Sequence, residues 1–192
     1  MLWLIVWWII TAINPLYPQD WLIENLLVFL YGGLLVFTYR RFQFSNISYA
    51  LFTLFLSLHL LGAHYTYTET PVGFWLQALF DFERNHYDRI VHFSFGLLLA
   101  YPMHEILMRL SGVSRAWSYF LTVNCILAFS AFYELLEAIT ATIVSPELGT
   151  AYMGTQGDEW DAQKDIFLAL MGAMVAMLIT WNRARSRALP TA

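Results

Sequence analysis

Three sets of side chains in this sequence can ligate a cation or move a proton, and each is spaced to share one helix face. Asp88 and His92 are four residues apart, Glu134 and Glu137 three apart, and Asp158, Asp161 and Asp165 fall at i, i+3 and i+7. On a helix of 3.6 residues per turn, such offsets place side chains one above another. Carboxylate oxygens suit Mg²⁺ or Ca²⁺, and an added imidazole widens the choice to Zn²⁺, Mn²⁺ or Fe²⁺. The same groups serve acid–base chemistry when their surroundings shift their protonation. The expectation is that Asp88, His92, Glu134, Asp158 and Asp161 hold a divalent cation, with Glu137 or Asp165 as general base.

Each set also has a plainer explanation. Carboxylates at Asp158, Asp161 and Asp165 suit the positive end of a starting helix. Asp88 and His92 can form a structural hydrogen bond, and Arg84, Arg89 and Lys164 can neutralise the acids as an ion-pair network. Glu134 is the hardest to explain that way, because its flanks (Phe129, Ala131, Phe132, Leu135 and Leu136) are apolar. His59 and His64 belong to the same level of the fold. His104 and Glu105, near Arg109, read as interface or ion-pair groups, His86 as a solvated loop residue, Asn124 as an interhelical hydrogen bond and Cys125 as packing. No CxxC, HExxH or Ser-His-Asp pattern is present, and the run Gly154–Asp161 lacks the lysine and preceding strand of a phosphate loop.

The elements that must position these residues follow from composition. The chain has 192 residues, 59% hydrophobic and 12% charged, with a mean hydropathy of +0.54. Soluble domains carry about 25% charged residues, so lipid is the main solvent of this surface. Trp and Tyr crowd the segment ends, as interfacial belts do. The net charge of −4 and the absence of a basic stripe exclude a nucleic-acid partner and leave membrane lipids as the expected one. The single Cys125 permits no intrachain disulfide.

The hydrophobic runs predict an all-α, polytopic transmembrane bundle of about six spans, forming one domain over residues 1–192. The spans fall at about 2–14, 21–39, 47–65, 87–110 (with Pro102 as a kink), 116–144 and 161–181. A short interfacial helix over about 72–82 lies between spans 3 and 4. The first run lacks a basic leader and a cleavage site and reads as a retained helix, although its short length leaves a five-span alternative. With six spans, Arg40, Arg41, Arg109, Arg115, Arg183, Arg185 and Arg187 share one side with both termini, and Arg84, Arg89 and Lys164 lie on the other. The basic-rich side is the cytoplasmic one. The acids and imidazoles then gather near the outer face.

The residues Arg84–Phe93, Tyr101-Pro102 with Glu105, Tyr133-Glu134 with Glu137, Gly154–Asp158, Trp160-Asp161 and Gln163–Asp165 resemble the bacterial YjdF family, DUF2238, over about residues 20–182. His64 with Tyr65 and Tyr67 fits the same pattern. The resemblance implies a bacterial inner-membrane protein and supplies no reaction. A looser similarity links the order Asp88/His92, Glu134/Glu137, Asp158/Asp161 and Gly172 to VanZ-like membrane proteins of the cell envelope. Lys164-Asp165 departs from that pattern, which has Asn near its last Asp.

Three functions fit these residues. One is metal-assisted hydrolysis or group transfer on an envelope lipid or its head group. The second is a small transporter or proton-coupled permease using the same acids as a relay. The third is a scaffold whose polar cluster fixes helix packing, and no protein partner is identified by any motif.

Overall fold

The computed structural model describes residues 2–144, 149 and 153–188. Among them are seven helices: α1 (Leu2–Ala12), α2 (Pro18–Thr38), α3 (Asn46–Tyr65), α4 (Pro71–Phe80), α5 (Tyr87–Leu110), α6 (Arg115–Ile143) and α7 (Asp161–Ala188). Local signals set their ends. Pro18 and Pro71 open α2 and α4 in the first turn, where no N–H is needed. Ser45 and Ser114 cap α3 and α6 by accepting from the backbone N–H groups of Ser48 and Trp117. Thr66 and Asp81 close α3 and α4 with φ of 53° and 54°, the left-handed turn of a helix C-terminus.

Five helices, α2, α3, α5, α6 and α7, are long and apolar enough to cross a membrane. The chain is a polytopic helical membrane protein, and α1 is the short apolar helix that leaves the five-span alternative. At 11 residues α1 is about 16 Å long, roughly half of a ~30 Å hydrocarbon core. It lies beside the second half of α3, running the same way. Trp3 Nε1 donates to Ser57 Oγ and Trp7 Nε1 to the Ser57 carbonyl (both 3.0 Å), while His64 Nδ1 donates to the Thr11 carbonyl at 2.9 Å. The interfacial helix forms as Pro71–Phe80, and its Phe74, Trp75, Leu79 and Phe80 are exposed.

The bundle is built on α5, which packs against α3, α6 and most closely α7. That closeness has a local cause. A Cβ on Gly96 would stand 1.9 Å from the Ala169 carbonyl oxygen, and one on Gly172 would stand 2.2 Å from that of Phe93. Ala169, Ala173 and Ala176 of α7 are buried along the same seam. In lipid, where apolar burial gives little drive for association, such small residues let backbones meet and gain dispersion contacts. The outer faces are apolar, as Leu30, Val36 and Phe37 on α2 illustrate.

At the end of the bundle opposite the polar residues, Glu105 of α5 binds the start of α3. It accepts from Ser45 N (2.9 Å), Ser45 Oγ (2.9 Å) and Ser48 Oγ (2.5 Å), and pairs with Arg109 at 2.6 Å. This is the ion-pair role expected of Glu105. It fixes α3 against α5 far from the other acids.

A candidate cation site at the polar end of the bundle

The start of α5 is held by its own loop. The Asn85 side chain accepts from Tyr87 N at 3.0 Å and donates to the Thr70 carbonyl at 3.1 Å, while its backbone N–H donates to Gln156 Oε1 (3.2 Å) and its carbonyl accepts from Gln156 Nε2 (2.9 Å). The first turns of α5 are thereby fixed against both the loop before α4 and the loop before α7. Asp88 and His92 project from those turns.

His92 Nε2 lies 3.4 Å from Asp88 Oδ1 and 3.4 Å from Glu134 Oε1. Those separations are long for hydrogen bonds. They match neighbouring ligands of one small cation, since bonds of about 2.0–2.2 Å leave ligand atoms roughly 3–3.5 Å apart. Asp165 completes the group: ligand atoms of Asp88, His92 and Asp165 all lie within 4.8 Å of one another. His92 and Asp165 are buried, at 8% and 2% exposure. Asp165 Oδ1 and Glu134 Oε1 are buried without a hydrogen-bond donor among the described residues. A buried carboxylate oxygen lacking a donor costs several kcal/mol, and a cation between these groups would remove that cost. Glu137 reaches the carboxyl of Glu134 from the next turn of α6.

The structure divides the expected ligands differently from the sequence. Asp158 and Asp161 do not join Asp88 and His92. They face Arg84, in the loop before α5, and Arg89, in its first turn. Arg84 Nη1 donates to Asp161 Oδ1 at 2.7 Å, and Arg89 Nη2 lies 3.3 Å from the same oxygen. Asp158 Oδ2 takes Arg89 Nη2, and Lys164 Nζ at 2.6 Å. The Lys164 ammonium, aided by Arg89, holds the Asp158 carboxyl down at about 2. Carboxylates already filled by guanidinium and ammonium groups brace the mouth of the bundle and make poor cation ligands. Asp165, expected as a base, stands instead among the ligand atoms.

The two expected α3 histidines part company as well. His64 serves the α1 contact already described. His59, at 2% exposure, belongs to a hydrogen-bonded chain beside the cation group. Its Nε2 donates to the Glu24 carbonyl at 3.1 Å, so its Nδ1 accepts from Tyr67 Oη at 2.6 Å. Burial pushes the Tyr67 phenol well above the usual tyrosine range, which keeps it a donor. Glu24 Oε2 accepts from Tyr133 Oη at 3.0 Å, and the Tyr133 ring lies 6.1 Å from that of His92.

Glu24 is the participant that sequence reasoning missed. The cost that singled out Glu134 applies equally to it: Asp20 and Glu24 sit at i, i+4 in an apolar helix, and both are buried, at 1% and 3% exposure. His104 stacks on Tyr119 at 4.6 Å and stays apart from the site.

A model of the family described as "Predicted membrane protein (DUF2238)" matches residues 1–186. Over 171 residues the chain is 37% identical to the Escherichia coli (strain K12) protein named "Inner membrane protein YjdF", covering 88% of this chain and 81% of that protein. No solved structure matches the chain.

Proposed function

This chain belongs to the DUF2238 family of membrane proteins, and from that footing we propose that it is a metal-dependent enzyme of the bacterial inner membrane acting on the head group of an envelope lipid at the outer face. The observation that carries this reading is the Asp88, His92 and Asp165 group, with donor-less buried oxygens on Asp165 and Glu134 facing it. Asp88, His92 and Asp165 would hold the cation, with Glu134 at its edge. When bound, a divalent cation polarises an ester or phosphoryl oxygen and lowers the pKa of water. Glu137, next to Glu134, would take the proton of an attacking water. Arg84 and Arg89, braced by Asp158 and Asp161, hold the loops that shape the entrance.

The inner-membrane location rests on the similarity to the E. coli protein so named. The outer-face placement rests on the arginines at the opposite end of the bundle. The relay alternative is less well supported, because the acids gather at one end and the face of α5 beyond His92 is lined by Phe95, Leu99 and Ile106.

The test is elemental analysis of detergent-purified protein. Near-stoichiometric Mg, Mn, Fe or Zn, lost in His92→Ala and Asp165→Asn, is the expected result. Metal-free protein showing proton flux in vesicles that Glu134→Gln abolishes would replace this reading with a permease.

A further inference from the structure

An apolar cleft of about 560 Å³ runs down the bundle from the cation group, between α2, α3, α5 and α6. One face of α5 lines it from end to end, with Asp88 and His92 at the top, Leu99 midway and Met103, Ile106 and Leu110 below. The stretch of α5 from Asp88 to Leu110 is about 33 Å long. The polar lining clusters at the top, where His59, Tyr67 and Tyr133 join Asp88 and His92. Across the cleft α2 packs on α3, while α6 packs on α5 and α7. The two walls meet through the Tyr133–Glu24 hydrogen bond at the top, so the gap below it faces the hydrocarbon of the membrane.

Length decides among occupants. One leaflet is about half of a ~30 Å core, so an acyl chain of an ordinary phospholipid would fill only the upper part. A cleft that continues toward the far side suits a chain longer than one leaflet. A cation held at its top would suit an anionic head. Arg84, Arg89 and Lys164 beside it are paired with Asp158 and Asp161, so a phosphate would be received by a cation on Asp88, His92 and Asp165.

We infer that the cleft takes a polyprenyl-phosphate-type lipid, entering sideways between α2 and α6, with its chain along α5 and its phosphate at the cation group. The phosphate contact rests on the cation reading given above; the chain contact rests on the cleft alone.

The test uses full-length protein in nanodiscs, with metal content measured on the same samples. Three photoreactive probes carry a diazirine at the chain end: a polyprenyl phosphate, the matching polyprenol, and a diacyl phosphatidylglycerol. The polyprenyl phosphate is expected to label α5 peptides around Met103 and Ile106 at least tenfold above the exposed Leu178 face of α7. Met103→Trp, and independently Ile106→Trp, should cut that labelling about tenfold while metal content stays at the wild-type level. Equal deep labelling by phosphatidylglycerol would overturn the long-chain assignment, and no preference over the α7 face would overturn the cleft. Deep labelling by phosphate and alcohol alike, in protein without metal, would sink the cation reading and the phosphate contact while sustaining the chain contact.

Discussion

At the scale of single residues, Asp158 and Asp161 pair with Arg84 and Arg89, while Asp165 lies with Asp88 and His92 in the candidate cation group. Asp165→Asn is expected to weaken metal binding by at least about tenfold, as loss of even an outer partner of a metal ligand does. Asp158→Asn should leave metal content unchanged, and titration of purified protein with the metal found in the wild type distinguishes the two. Asp158 also sets an acid limit. Its folded pKa, about 2, lies below its ordinary value, so its contribution to stability is full above the ordinary carboxylate range and is lost as pH falls through about 2. Hydrogen-exchange protection around residues 154–160 is expected to hold from neutrality down to about pH 4 and to fade below about 3. Lys164→Met should move that loss to higher pH.

Residue types and offsets made Asp88, His92 and Glu134 legible in the sequence, because each is expensive at membrane depth and each pair shares a helix face. The division of labour among the three aspartates before and in α7 was not legible. Whether Asp158 and Asp161 meet a cation or Arg84 and Arg89 depends on how the loop before α5 lies against the start of α7, which is a tertiary fact. Glu24 was legible and overlooked. Its cost in lipid is the same as that of Glu134, and Asp20 one turn before it shares its helix face.

At the scale of elements, the α5–α7 seam brings the candidate ligands together. Asp165 comes near Asp88 and His92 because Gly96 and Gly172 let the two backbones touch. Gly172→Leu is expected to destabilise the protein by about 1–3 kcal/mol through overpacking, visible as a lower Tm in detergent, and to lose metal as Asp165 swings away. Gly33 of α2 is the control, since a Cβ there meets nothing within 4 Å. Gly33→Ala should retain the metal and change stability by no more than about 1 kcal/mol. The helix ends were largely readable from Pro18, Ser45, Pro71 and Ser114. The seam was not, because glycines at α5 and α7 signal close approach only once the partner is known.

For the molecule as a whole, parity matters. With α2, α3, α5, α6 and α7 as the crossings, the start of α2 and the end of α7 fall at opposite faces, and a crossing by α1 is what would bring both termini to one side. The arginine asymmetry is untouched, since every basic residue lies beyond α1. Glu69→Cys is therefore expected to react with a membrane-impermeant maleimide in intact spheroplasts. Gly112→Cys should react only after permeabilisation.

The hydrogen bond between Tyr133 and Glu24 ties α6 to α2 across the upper end of the cleft, where α2 packs on α3. A guest able to hydrogen-bond to the phenol or the carboxylate would compete with that tie. Tyr133→Phe should leave it unfastened, and spin labels on α2 and α6 would then report a wider and broader distance distribution. Admission to the bundle interior would on this basis be governed at the rim, by the same helix turn that carries Glu134.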